Sequence, residues 1–232
     1  MKKFSRPLKF IIGLLLLPTA LLAFIAVGEV AWALVKSWRI TLFFLAGIAV
    51  YLFCHRFIYR FSRLYVTAHE AVHAAAALIC GHKVQSITVG EESGNVKLSG
   101  VNTFILLAPY VFPLFAIASI AAYFILNLFV PQLDKRIFIL LFGFFTAHHG
   151  VHTYTTLTGA EQSDIKMAGG SIFSFSLIVL FNAAIILILL ELLFPGVAQV
   201  WQAVKNIFVN TIIFWKAAGR WFYNFIVWAG SR

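Results

Sequence analysis

Residues 67–73 read Thr-Ala-His-Glu-Ala-Val-His, and the HExxH pattern within them is the part of the chain best equipped for chemistry. Positions four apart on an α-helix are offset by only about 40°, so His69 and His73 can present imidazole nitrogens from one face to a tetrahedral Zn2+. Glu70, beside them, is placed to act as general base toward a metal-activated water. The chemistry this implies is hydrolysis. The competing reading is that three polar side chains merely bond across a helix bundle. An acid at mid-depth in a bilayer costs at least about 2.5–3.5 kcal/mol, so an unpartnered Glu70 in an apolar helix needs a role.

Three further histidines, His148, His149 and His152, fall on one helix, with His148 and His152 on the same face. They are expected either to donate a hydrogen bond to an oxyanion or to orient a ligand from behind, the alternative being satisfied histidines inside a bundle. Cys54 and Cys80 lie in apolar stretches without ligand-like spacing and read as buried thiols.

The elements that must position these residues are set by composition. Of 232 residues 62% are hydrophobic, 16% aromatic and only 11% charged, which excludes a secreted disulfide scaffold, a disordered tail and a free nucleic-acid-binding domain. Uncharged runs at about 10–28, 40–58, 64–80, 102–130, 137–157 and 171–194 indicate an all-α polytopic membrane protein with about six hydrophobic helices. The first run is longer than a signal-peptide core and is expected to be a retained helix. The 64–80 piece is short for a full crossing. After the HExxH helix, Lys83 to Gly100 alternates apolar and polar residues punctuated by Gly90 and Gly94, and reads as a small β-hairpin or irregular loop. At membrane depth such a segment must be covered by protein.

The formal charge of +10 reports loops and lipid headgroups rather than nucleic acid. With the N-terminus cytoplasmic and each run crossing once, only Lys36, Arg39, Lys83, Lys97 and Lys166 of the 18 basic residues lie outside, as the positive-inside rule prefers. The organisation expected is a membrane-embedded domain over 1–196 and a C-terminal amphipathic interfacial helix over 197–232. In that tail Lys205, Lys216 and Arg220 share a polar face opposite Phe214, Phe222 and Phe225.

Four segments together resemble the site-2 protease family of intramembrane zinc metallopeptidases, in its small bacterial-type form without a PDZ domain. They are HEAVH (His69 to His73), VGEESGNVKLSG (Val89 to Gly100), LAPYVFP (Leu107 to Pro113) and QSDI (Gln162 to Ile165). HEAVH in an apolar helix is the specific element and the others are supportive. The resemblance implies one Zn2+ per chain, held by His69, His73 and a downstream aspartate whose matching position is Asp164. One of His148, His149 or His152, or Glu161, is the alternative third ligand. It also implies an integral protein of a bacterial-type plasma (inner) membrane, acting on a membrane protein substrate with a transmembrane helix and leaving room for a regulatory membrane partner.

If every apolar run crossed once, HEAVH and Asp164 would emerge on opposite sides, whereas metal ligands lie about 2 Å from their ion. At least one run must therefore be half-spanning, broken or re-entrant, with 64–80 and the Pro109/Pro113 stretch as candidates. A substrate helix must unwind before attack, and the edge Gly94, Asn95, Val96, Lys97 and Leu98 could hold the extended segment by β-augmentation. Two other classes compete. One is a di-iron histidine-box oxidase, suggested by the second HxxxH at His148 and His152; the other is a non-catalytic scaffold or transporter with a structural metal.

Overall fold

The structure is a computed structural model and describes residues 5–34, 38–159, 162–195 and 199–231. Among the described residues there are nine helices and one two-stranded sheet. In order they are α1 (Arg6–Leu34), α2 (Trp38–Phe57), α3 (Ser62–Ile79), β1 (Val84–Val89), β2 (Gly94–Leu98), α4 (Thr103–Val111), α5 (Leu114–Phe129), α6 (Arg136–Thr158), α7 (Ser163–Ala168), α8 (Ser171–Leu193) and α9 (Val200–Gly230). The chain is thus mostly helical with a small antiparallel hairpin. The boundary expected at 196/197 and the alternative ligand Glu161 lie outside the described residues, as do Lys2, Lys3 and Lys36.

Among the described residues two helices, α1 and α8, are long and apolar enough to cross a membrane, and up to four crossings result if each of two bent pairs counts as one. The pairs are α2 with α3, bent by 117°, and α4 with α5, bent by 69°. The single run expected over 102–130 is therefore two helices, interrupted where Phe112 turns extended before Pro113. Proline disfavours helical backbone in the residue before it, so the break follows from the sequence. The run at 137–157 corresponds to α6, which is long enough to span but less apolar than α1 and α8, its second half carrying His148, His149 and His152.

Helices pack closely where side chains vanish. A Cβ on Gly47 would collide with the Leu140 carbonyl, and one on Gly143 with the Phe44 carbonyl, so α2 and α6 approach backbone to backbone through reciprocal glycines. In the same way Gly13 of α1 lies against Phe173 of α8, and Ser176 Oγ donates to the Gly13 carbonyl at 2.9 Å. Ala26, Val30 and Leu34 of α1, Leu187 and Leu190 of α8, and Ala203 of α9 share one buried apolar cluster. Farther along, Thr211 Oγ1 of α9 donates to Thr19 Oγ1 of α1 at 3.4 Å.

The sharp turn from α2 into α3 aims the HExxH helix. Phe61 sits there with φ 57°, a left-handed conformation that a bulky residue adopts only when its surroundings enforce it. The enforcement comes from α6: His152 Nε2 donates to the Arg60 carbonyl at 2.8 Å and His148 Nε2 to the Phe61 carbonyl at 3.4 Å. Both imidazoles are buried. Beyond α3, β1 and β2 pair antiparallel from Val84↔Leu98 to Val89↔Gly94, with an irregularity between Val84 and Ser86, and a four-residue turn closed by Gly90 N–H to the Ser93 carbonyl at 2.9 Å. Asn102 then starts α4 by accepting from Ile105 N–H at 2.9 Å, which satisfies one of the helix's open donors.

Candidate metal centre

His69 and His73 project from one face of α3, as their spacing requires, and meet Asp164 from the first turn of α7. One ligand atom from each lies within 4.8 Å of the others. Asp164 Oδ2 is 3.3 Å from His73 Nε2 and 3.7 Å from His69 Nε2. The runs on both sides of the hairpin are bent, and the three ligands meet although they come from segments 91 or more residues apart.

This donor set suits a divalent ion. Tetrahedral ligands about 2.0–2.1 Å from zinc lie about 3.3–3.4 Å from one another, close to the two separations seen. His73 Nδ1 donates to the Ile105 carbonyl at 2.8 Å, which fixes the tautomer and turns the Nε2 lone pair toward Asp164. Through Asn102, the start of α4 therefore sets the orientation of a histidine on α3. His69 Nδ1 is buried without a hydrogen-bond partner, so Nε2 is the nitrogen of that ring aimed at the cluster. Tyr110, fully buried, donates its hydroxyl to Asp164 Oδ2 at 3.3 Å and meets the His69 ring edge-on at 5.1 Å. The other aspartate, Asp134, is an exposed loop charge; its carboxylate is held low by the Arg136 side chain, whose Nε lies 2.7 Å away.

The three groups line a cavity of about 480 Å³ together with Glu70, Tyr65, His152 and residues Glu92 to Val96 of the hairpin. Glu70 is buried, 7% exposed, one position from His69. Its neighbour is Gly94, where an added Cβ would sit 2.7 Å from Glu70 Cγ and 2.8 Å from Glu70 Oε1. Only a glycine lets β2 come this close. In the two-stranded sheet β2 pairs with β1 alone, so among the described residues its other edge is unpaired. Along β2 Val96 and Leu98 are half-buried while Asn95 and Lys97 are exposed.

The remaining expected residues stand outside the group of ligands. His148 and His152 clamp the α2–α3 turn; the His152 ring also stacks on Tyr65 at 4.7 Å, and Tyr65 in turn meets His69 at 5.6 Å. His149 Nε2 donates to Asn182 Oδ1 at 3.2 Å, and Asn182 Nδ2 donates to the Tyr110 carbonyl at 2.7 Å. None of the three joins the group of closely spaced ligand atoms. Sequence reasoning assigned no role to Tyr110, although it lies in the quoted LAPYVFP segment. The signal was a phenol in an otherwise apolar, proline-containing run, where a buried hydroxyl needs a partner.

A family model described as Peptidase M50B-like matches residues 41–160, just over half of the chain. The match runs from α2 through α6 and contains HExxH and the hairpin; Asp164 lies a few residues beyond it. The chain thus belongs to the M50B-like peptidases, within the site-2 protease family of membrane metallopeptidases. Comparison with curated proteins and with solved structures found no match.

Proposed function

We propose that the protein is an intramembrane zinc metalloprotease that hydrolyses peptide bonds of membrane-embedded or membrane-associated substrates, with one Zn2+ held by His69, His73 and Asp164. The observation that carries this reading is the convergence of those three ligands on the wall of a cavity that also contains Glu70 and the unpaired edge of β2. When bound, the ion supplies Lewis acidity, polarising a carbonyl and making water more acidic.

The chain's own groups do the rest. Glu70 takes a proton from water as its oxygen bonds to the scissile carbonyl carbon, and returns it to the amide nitrogen as the carbon–nitrogen bond breaks. A transmembrane substrate hides its amides in its own helix and must be unwound. The free edge of Gly94 to Leu98 offers backbone donors and acceptors to the extended segment, and Gly94 brings that segment alongside Glu70. Tyr110 and the Ile105 carbonyl orient Asp164 and His73. His148 and His152 act at one remove, by fixing the turn that aims α3.

The same reading places the protein in a bacterial-type plasma membrane with a cytoplasmic N-terminus. Residues 1–196 are assigned to the metallopeptidase unit and 197–232 to an amphipathic tail, whose helix α9 meets α1 through Ala203 and Thr211 and leaves Trp201, Trp221 and Arg220 exposed for the lipid interface. Its partners are the bilayer and a single-pass substrate. Reconstituted with such a substrate in liposomes, the protein should cleave it, lose cleavage to background in a zinc chelator, and regain it on adding zinc. Cleavage that persists in metal-free protein would refute the assignment, and bound zinc without turnover on any single-pass substrate would favour a scaffold.

A further inference from the structure

Asp164 is carried by a helix too short to hold itself. α7 has six residues, whereas isolated helices below about 12–15 residues are marginal. The carbonyl at its buried C-terminal end is met by a residue 159 positions away: Lys9 Nζ lies 2.6 Å from the Ala168 carbonyl oxygen. The same ammonium donates to Thr103 Oγ1 at 3.1 Å and lies 5.5 Å from the centre of the Phe173 ring. Thr103 Oγ1 donates toward the same Ala168 carbonyl at 3.4 Å. Lys9 therefore ties α1 to the start of α4, the end of α7 and the start of α8.

A cation at a helix C-terminus is favourable, since the last carbonyls carry partial negative charge. Asp164 and Ala168 are four residues apart and lie one above the other on the same helical face. Holding Ala168 fixes the position from which the Asp164 carboxylate reaches across to α3. Ile165 and Ala168 are buried in a cluster with Leu106, Leu107 and Tyr110, but these apolar contacts do not constrain the helix as a directed bond to its last carbonyl does.

We infer that Lys9 is a positioning residue for the metal centre: its ammonium pins the C-terminal end of α7 against α4 and so keeps Asp164 within ligating reach of His69 and His73. The inference rests on Asp164 being the third ligand, as proposed above. Lys9 touches none of the ligands; it acts on Asp164 through α7, and its bond to Thr103 joins that helix to the start of α4.

The test is metal binding by the full chain in detergent, using Co2+ as a spectroscopic stand-in for zinc and a competing chelator for affinity. The wild-type protein should bind one Co2+ with an intense four-coordinate visible band. In Lys9→Met, affinity should fall about 10–100-fold, the scale for loss of a partner that orients a ligand, and the band at saturation should weaken as the carboxylate leaves the coordination sphere. Lys9→Arg, which keeps a cation able to reach the Ala168 carbonyl, should restore both. If Lys9→Met does not fold, Lys9→Gln retains a neutral donor and should show an intermediate loss. A lysine with a purely structural role would lower the unfolding temperature of the metal-free protein while the saturated spectrum stayed that of wild type, and this result would overturn the inference. Asp164→Asn separates the two levels. Weakened binding there, with wild-type affinity and spectrum in Lys9→Met, removes the role of Lys9 alone; unchanged binding there removes the ligand assignment and the inference with it.

Discussion

Glu70→Gln should lower the rate of substrate cleavage by roughly 10²–10⁴-fold while leaving metal content and thermal stability close to wild type. The amide has nearly the shape of the carboxylate but cannot accept a proton from water, so the first step loses its base and the last its acid. Binding should survive because the atoms that converge for the metal belong to His69, His73 and Asp164, and Glu70 is not among them. Nor should packing change, since the replacement fits the same space between Val66 and Gly94. The measurement is the initial cleavage rate of a single-pass substrate, with metal content determined on the same preparation. Wild-type cleavage by a metal-loaded variant would contradict the assigned base.

Gly94→Val should be nearly as damaging, for a different reason. A Cβ at Gly94 would stand 2.7 Å from both Glu70 Cγ and Val66 Cγ1, so either β2 must retreat or Glu70 must swing away. A displacement of about 1 Å at a reacting centre costs on the order of 10²-fold in rate. The loss should appear in cleavage and not in metal affinity, because α3 and α7 are not pushed apart. Gly94→Ala should fall between the two. Comparable cleavage by all three proteins would show that β2 need not close on Glu70, and the substrate would then have to be held elsewhere.

Much of the site was legible in the sequence because its central motif is local. Two histidines four apart share a helical face whatever surrounds them, and Gly90 and Gly94 mark the hairpin's turn by their chemistry. The tail helix was legible from its periodicity. The conflict in depth between HEAVH and Asp164 pointed to broken spans, and Pro113 marks one of them. Illegible features were the non-local ones. Nothing near Phe61 announces a left-handed residue and a 117° bend, because the groups that hold it there are histidines about ninety positions away on α6. The position of α7 was equally hidden: six residues are too few to show a period, and its anchors come from α1, α4 and α8. Asp164 accordingly entered through family resemblance and not through any pattern of its own. His148, His149 and His152 stood out as polar residues in an apolar helix, but only their partners distinguish a clamp on a turn from a ligand.

The most direct test of the account is X-ray absorption at the zinc edge on the purified protein, compared with Asp164→Asn. We expect one zinc per chain with two imidazole nitrogens and carboxylate or water oxygens at about 2.0–2.2 Å. In Asp164→Asn, occupancy should drop sharply and the carboxylate contribution should vanish while the two imidazoles remain in whatever zinc is retained. Stoichiometric zinc with an identical coordination sphere in both proteins, or two irons in place of zinc, would contradict it.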